Sequence, residues 1–263
     1  MSMNLLKRLL ILLAVFLLSA SGCRAEKLSV GEYRVARVID GDTIRLANGQ
    51  EVRYLGIDTP ESRKRSGGAW IYDPEPFAAE AVEFNAMLVG GKAVTLEFDT
   101  RKRDKYGRIL AYVRQDGKMV NAMLIRNGYA SVYTFPPNVK YLEYLVAQQN
   151  AAIEERLGIW SDLEEALPGR LSEHIGRYVA LTGSVSDVRA SRGLLYLIMD
   201  PGGASAAIRE QNMVLFEKQG VFPSRDYQGK RIRILGKVED WGTPVVVLDN
   251  PSQVSVLDPG RGG

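Results

Sequence analysis

Asn48-Gly49 constrains this chain more than any other pair of residues. An Asn-Gly dipeptide accepts the left-handed backbone of a tight hairpin turn. Here it separates two runs that read as strands, Tyr33 to Leu46 and Glu51 to Ile57. A hairpin pairs its arms, so residues far apart in sequence converge at one rim. Asp42 in the first arm and Asp58 after the second are placed to meet in this way. Thr59-Pro60 then breaks the strand, and a Gly- and Arg-bearing loop runs to Pro76.

Beyond the loop, Phe77, Ala81, Phe84 and Leu88 recur at the spacing of one helical face, and Gly90-Gly91 ends the helix. Lys92 to Asp99 and Arg108 to Arg114 read as strands joined by a charged Lys-Tyr-Gly loop. Asn121 is placed to cap a short helix closed by Gly128. A longer helix, about Val139 to Leu157, carries Leu142, Leu145, Val146, Gln149, Ile153 and Arg156 on one stripe, and Ile159-Trp160 pins its end. Strands followed by helices at one side suit a mainly β, α+β fold built on a small closed barrel of the OB type.

Residues 162–174 read as a linker, or over Ser161 to Leu171 a short helix, with a Pro-Gly break at Pro168-Gly169, and a second unit occupies 175–257. Its strands are expected at Tyr178 to Val188, Leu194 to Met199, Ala206 to Arg209, Arg231 to Glu239, Pro244 to Leu248 and Val254 to Leu257, with a helix at Gln211 to Gln219. Five or six short strands with one interposed helix again indicate a smaller OB-type barrel. Residues 258–263 read as a flexible tail.

At 263 residues, 46% hydrophobic and 25% charged, the composition is that of an ordinary globular protein with room for two modest domains. Residues 1–22 read as a signal peptide: Lys7 and Arg8, an apolar run from Leu9 to Leu18, then Ser19-Ala20-Ser21-Gly22. Ten apolar residues are too few to cross a bilayer core of ~30 Å as a helix. Cys23, the sole cysteine, follows immediately and resembles the lipidated cysteine of a bacterial lipobox, with Ala20 where such boxes carry leucine. A cut near Ala25 by ordinary signal peptidase is the alternative. Either route exports the chain, as a membrane-anchored lipoprotein or to the periplasm or exterior, and residues 23–32 form a tether. Without Lys7 and Arg8 the chain carries 32 basic against 31 acidic residues, so bulk charge gives little support to nucleic-acid binding. Local clusters give more: Arg63-Lys64-Arg65 and Arg101-Lys102-Arg103-Asp104-Lys105 flank the motifs below.

Three segments carry the chemistry: Val38-Ile39-Asp40-Gly41-Asp42-Thr43, Arg53-Tyr54-Leu55-Gly56-Ile57-Asp58-Thr59-Pro60-Glu61, and Asp104-Lys105-Tyr106-Gly107-Arg108. Taken singly, each charge is an ordinary turn or surface residue. Together, Asp42, Asp58 and Glu61 with Arg53 and Arg108 are a kit for cutting a phosphodiester. They offer hard oxygen ligands for a divalent cation, a carboxylate to activate water, and guanidinium forks for a phosphate gathering charge. Two carboxylates with the Thr59 backbone carbonyl suit Ca²⁺, waters completing the shell. Cys23 and the one histidine, His174, lie outside the motifs, which disfavours zinc. Asp40 reads as the turn residue of the first motif.

In order and approximate spacing the three motifs resemble those of the staphylococcal nuclease (thermonuclease) family, over about Tyr33 to Ser161, which sets the first domain at 33–161. The resemblance implies a metal-dependent endonuclease acting on DNA and RNA with low sequence specificity, by attack of water that leaves 3′-phosphate ends. It implies Asp42, Asp58 and Thr59 as Ca²⁺ ligands, one ion per site, and Glu61 as the residue that orients or deprotonates water. Arg53 and Arg108 become the residues that stabilise the phosphate. Lys105 and Tyr106 match positions that hold a neighbouring phosphate, and Tyr133 one beside the nucleotide. Phe135 stands where the best-known member has a second tyrosine; it can stack on a base but cannot donate a hydrogen bond.

In the second unit, the segments Arg231 to Val238 and Val245 to Pro251 look similar to bacterial nucleic-acid-binding OB domains. Near-neutral charge and sparse aromatics leave a structural module, or a docking module for a cell-envelope protein, as alternatives. For the whole chain the alternative to a nuclease is a membrane-tethered binder of nucleic acid that does not cut. Such binders lose carboxylates or arginines of the motifs, and this chain keeps all five.

Overall fold

The first arm of the expected hairpin is two strands, because Gly41-Asp42 reverses the chain within it. In the computed structural model, which describes residues 31–200 and 203–257, β1 (Glu32–Asp40) turns back on β2 (Thr43–Leu46), with Asp40 paired to Thr43. The Asp40 carboxylate accepts the Asp42 backbone N–H at 3.1 Å and closes this turn, the part expected of it. The Asn48-Gly49 turn then leads antiparallel into β3 (Glu51–Tyr54), with Gly49 in the left-handed region at φ 84°. The leader, the Cys23 lipid site, most of the tether and the tail at 258–263 lie outside the described residues.

A two-residue strand, β4 (Ile57–Asp58), follows. The stretch expected to be loop contains a hairpin, β5 (Arg63–Ser66) and β6 (Ala69–Tyr72), with Trp70 and Tyr72 exposed. Helix α1 (Ala78–Val89) buries Ala81 and Leu88, while Phe77 stands just outside it in a left-handed conformation. Next come β7 (Ala93–Glu97), β8 (Ile109–Gln115), β9 (Lys118–Met119), α2 (Val120–Arg126), β10 (Ser131–Val132) and α3 (Leu142–Glu154). Asn121 does not cap α2. It is buried within the helix, where its side chain accepts from Val113 N–H and donates to the Leu55 carbonyl. Arg156, expected on the stripe of α3, lies beyond the helix end at φ 54° and is exposed.

Strands β1, β2, β3, β8 and β7 pair in that order, and β7 returns to β1, so the sheet closes into a five-stranded barrel. Its only parallel contact joins β3 to β8. Ile44, Val52, Leu96, Ile109 and Val113 fill it with almost no exposure. Burial of apolar surface at ~25 cal/mol per Å² makes such a core the main stabilising element.

Residues 162–174 are not a free linker. They contain β11 (Glu164–Ala166), which pairs parallel with β12 (Tyr178–Ser191), and Ala166 and Leu171 enter the second core. There follow β13 (Leu194–Asp200), β14 (Gly203–Arg209), α4 (Met213–Lys218), α5 (Pro223–Asp226), β15 (Arg231–Asp240), β16 (Pro244–Leu248) and β17 (Val254–Leu257). Here β12, β13, β14, β16 and β15 form a ring closed by β15 on β12, with β14 parallel to β16. Numbering strands within each ring, both follow the order 1-2-3-5-4 with the helix before strand four.

The two rings belong to one compact unit. Trp160 packs edge-on against Tyr178, with ring centres 5.0 Å apart, so the end of the first barrel is pinned to the second. Ser131 shares a 2.7 Å hydrogen bond with the Tyr178 hydroxyl, and Thr134 donates to the Asp249 carbonyl at 2.6 Å. Lys237 Nζ reaches Glu75 Oε2 at 2.6 Å in a site only 16% and 9% exposed at the two side chains. Burial opposes a charge on Lys237, but Glu75 and Asp58 outweigh it and hold the ammonium above its ordinary value. Lys237→Met should therefore strand the Glu75 charge and cost about 3 kcal/mol of unfolding free energy in urea titrations. Adding Glu75→Gln should restore much of the loss; a double variant no more stable than the single would show that the pair is not the cause.

Candidate active site

Three pieces of local structure bring the motif residues together. The register of β2 on β3 sets Thr43 opposite Arg53, so Asp42 lies beside that arginine, and Tyr54 N–H bonds to the Asp42 carbonyl at 2.9 Å. Pairing of β4 with β10 sets Asp58 opposite Ser131. Finally, Thr59 donates its backbone N–H to Asp42 Oδ2 at 3.1 Å, and Thr43 Oγ1 donates to Asp42 Oδ1 at 3.2 Å. Gly41 makes this closeness sterically feasible: a Cβ there would fall 2.6 Å from Thr59 Oγ1. Asn85, fully buried, supports the turn from behind by donating to the Asp40 carbonyl while accepting from the Tyr54 hydroxyl.

At the centre lies Arg53. One arm of its guanidinium meets the buried Asp42 carboxylate and the other bonds Asp58 Oδ1 at 2.6 Å. Arg53 and Asp42 are nearly shut from solvent, and Asp58 is more open. Burial raises Asp40 above the ordinary carboxylate value, opposed by Arg53, the Thr43 hydrogen bonds and Arg108. Desolvation, then the Asp58 and Asp40 charges, push Glu61 upward as well, although its side chain reaches the surface. The Glu61 backbone N–H donates to Glu75 Oε2 at 3.0 Å, so the carboxylate that pairs with Lys237 also fixes the Glu61 loop.

Arg53 and Asp58 line a cleft of about 550 Å³ that also takes in Arg108, Lys105, Tyr106, Tyr133 and Phe135. Arg108 is aimed by Asp104, which accepts its Nε–H at 2.7 Å and its backbone N–H at 3.0 Å. Exposed Tyr106 has Lys105 Nζ 5.1 Å and Arg108 Cζ 5.7 Å from its ring centre. Phe135 is 41% exposed with Arg101 over its ring, so an apolar face and cations share one wall. His174 lies outside this cleft, beside Glu164.

The donor set fits a hard cation. Asp42 and Asp58 offer carboxylate oxygens, and Thr59 is drawn against them. Among the described residues no three His, Cys, Asp or Glu side chains cluster to chelate an ion. Carboxylate oxygens are the hard donors that Ca²⁺ takes, and among the described residues neither thiolate nor imidazole lies beside them.

The second barrel enters this cleft, which the sequence does not signal. Arg209 and Glu239 line it, and Arg209 lies 5.6 Å over the Tyr133 ring. Asp249 Oδ1 holds Arg209 Nη1 at 2.7 Å and accepts from Asn212 at 3.2 Å. Glu75, Lys237 and Arg209 were absent from the expected site because each looks like a surface charge until the rings are packed.

Residues 51–162 match the model of the staphylococcal nuclease homologues. The thermonucleases of Staphylococcus hyicus and Staphylococcus intermedius are 37% and 39% identical to the chain over 133 and 131 residues, 49% of this chain and 76% and 75% of theirs. The SPbeta prophage-derived endonuclease YokF and the endonuclease YncB of Bacillus subtilis (strain 168) are each 42% identical over 130 residues, 48% of this chain. The chain spans 42% and 59% of the length of these two relatives. It belongs to the staphylococcal nuclease family. The residues matched to the family model end before the second ring begins.

Asp249 gives a pH test of the wall that holds Arg209. Burial pushes its carboxyl up to about 7; Arg209 and the Asn212 hydrogen bond oppose the shift, and Asp58 and Glu239 add to it. The folded state thus holds this proton more tightly than the unfolded chain. The stabilisation is complete below the unfolded value near 3.8 and fades as pH rises through about 7. Asp249→Asn should flatten that part of the dependence of Tm on pH; an unaltered slope would remove Asp249 as its source.

Proposed function

We propose that the chain is a Ca²⁺-dependent nuclease that hydrolyses phosphodiesters of DNA and RNA with low sequence specificity. The observation that carries this reading is the Arg53 guanidinium held between Asp42 and Asp58 in a cleft that also presents Arg108. Asp42 and Asp58, with the Thr59 carbonyl, would hold one Ca²⁺, which supplies a Lewis acid for a phosphate oxygen and for water. Arg53 and Arg108 bind the scissile phosphate and offset its charge as it builds, and loss of one such donor commonly costs ~10²–10³ in rate. Glu61 orients the attacking water or takes its proton. Lys105 and Tyr106 hold an adjacent phosphate, while Tyr133 and Phe135 give bases a stacking face. That relatives are named thermonuclease and endonuclease supports the same reading.

The chain is exported in this reading, either anchored through a lipid on Cys23 or cut free. Residues 33–161 and 175–257 are its two domains. The second ring is an OB domain, supported by its strand order, which repeats that of the first. A cell-envelope protein as its docking partner is the remaining part of the proposal.

Purified protein should cleave single-stranded DNA with millimolar Ca²⁺ and not in excess EGTA. Arg53→Ala should lose ~10²-fold or more in rate, and Glu61→Gln should slow cleavage while Ca²⁺ binding persists. Tight binding of DNA without cleavage in Ca²⁺ or Mn²⁺ would make the chain a non-catalytic binder instead.

A further inference from the structure

The Arg209 side chain stands where two cavities meet. On one side is the cleft of Arg53 and Arg108. On the other is an open groove of about 620 Å³ on the second barrel, lined by Arg192, Gly193, Gln211 and Trp241 as well as by Arg209 itself. Arg209 is flanked by two aromatic rings, Tyr133 of the first barrel at 5.6 Å and Trp241 of the second at 5.4 Å. The side chain is only 22% exposed and is fixed by Asp249, so its planar group is pre-set rather than free to swing. Trp241 is tied through Nε1 to Glu239 at 2.7 Å, yet 37% of its surface stays open.

We infer that the second barrel is part of the substrate site, and that single-stranded nucleic acid runs from the catalytic cleft over Arg209 and Trp241 into the groove ending at Arg192. The inference rests on the nuclease reading of the first cleft. Single strands fit because their bases are free to stack, and a fixed aromatic beside a guanidinium is a platform for any base. A duplex keeps its bases inward and would find only the backbone contacts. Glu239 and Glu210 also line this path, so the charges of Arg209 and Arg192 are locally balanced. Affinity along this path therefore comes chiefly from stacking.

Arg192 is the second mark of a binding role. It occupies the two-residue turn between β12 and β13 with φ 49°, ahead of Gly193 at φ 76°. Asn is the residue such a turn favours, and a long side chain there carries a conformational cost. The charge is thus placed on the rim at the expense of local comfort. Arg192→Asn should leave folding intact or slightly improved, which separates loss of binding from loss of structure.

The test uses the full chain and oligothymidylates of about 4 and about 16 nucleotides, spanning the usual occupancy of one or more such barrels. Fluorescence anisotropy in EGTA, where no cleavage is expected, reads binding alone. Affinity should rise from the short to the long oligomer. Trp241→Ala should reduce that gain about tenfold. Arg192→Asn should weaken the long oligomer and lower the salt slope of log K by ~0.7, the loss of one phosphate contact. A wild type with no length gain, or variants that bind the long oligomer as the wild type does, would overturn the inference. The nuclease reading fails on a different observation, absence of Ca²⁺-dependent cleavage by the wild type, and the binding comparison stands whichever way that falls.

Discussion

Arg53 between Asp42 and Asp58 is the interaction on which the site depends. Two carboxylates this close repel each other unless a cation stands with them, and desolvation makes the repulsion stronger. The guanidinium satisfies both, the backbone N–H of Thr59 donates to the Asp42 oxygen that faces it, and the hydroxyl of Thr43 donates to the other. In the proposed function the same geometry serves chemistry. A position that balances two carboxylates with one planar cation suits a site in which metal and phosphate share the charge. The barrel contributes register: β2 on β3 and β4 on β10 deliver residues from separate strands to one rim.

The second ring is more than an appendage. Glu75 ties the Glu61 loop to Lys237 through a single carboxylate, and Asp249 fixes Arg209 against Tyr133. If Glu61 acts as proposed, a loop anchored in this way loses less conformational entropy when substrate arrives. The two rings repeat one strand order, and residues of both, Asp58, Ser131 and Tyr133 with Lys237, Glu239 and Asp249, line one small cavity.

Much of this was legible in the sequence because it is local. The Asn48-Gly49 turn and the turn role of Asp40 are short-range chemistry, and the structure forms both. The turn role of Asp40 is legible, but not the full reversal it closes: Val- and Ile-rich segments flank Gly41-Asp42 on both sides and read together as one strand. Asn121 looked like a cap since it precedes an apolar helix, yet its amide satisfies buried backbone groups of two other segments. Long-range charges were the least legible. Nothing near Arg209 or Lys237 in the chain indicates its contact in the first barrel, Tyr133 for the one and Glu75 for the other. Only packing of the two barrels reveals it.

Calorimetric titration of the full chain with Ca²⁺ tests the central claim most directly, since the paired carboxylates are held to be a metal site before they are anything else. The account predicts one ion per wild-type chain and loss of that binding in Asp42→Asn, with the fold retained by circular dichroism. A wild type that binds no Ca²⁺, or an Asp42→Asn chain that binds it as well as the wild type, would contradict it.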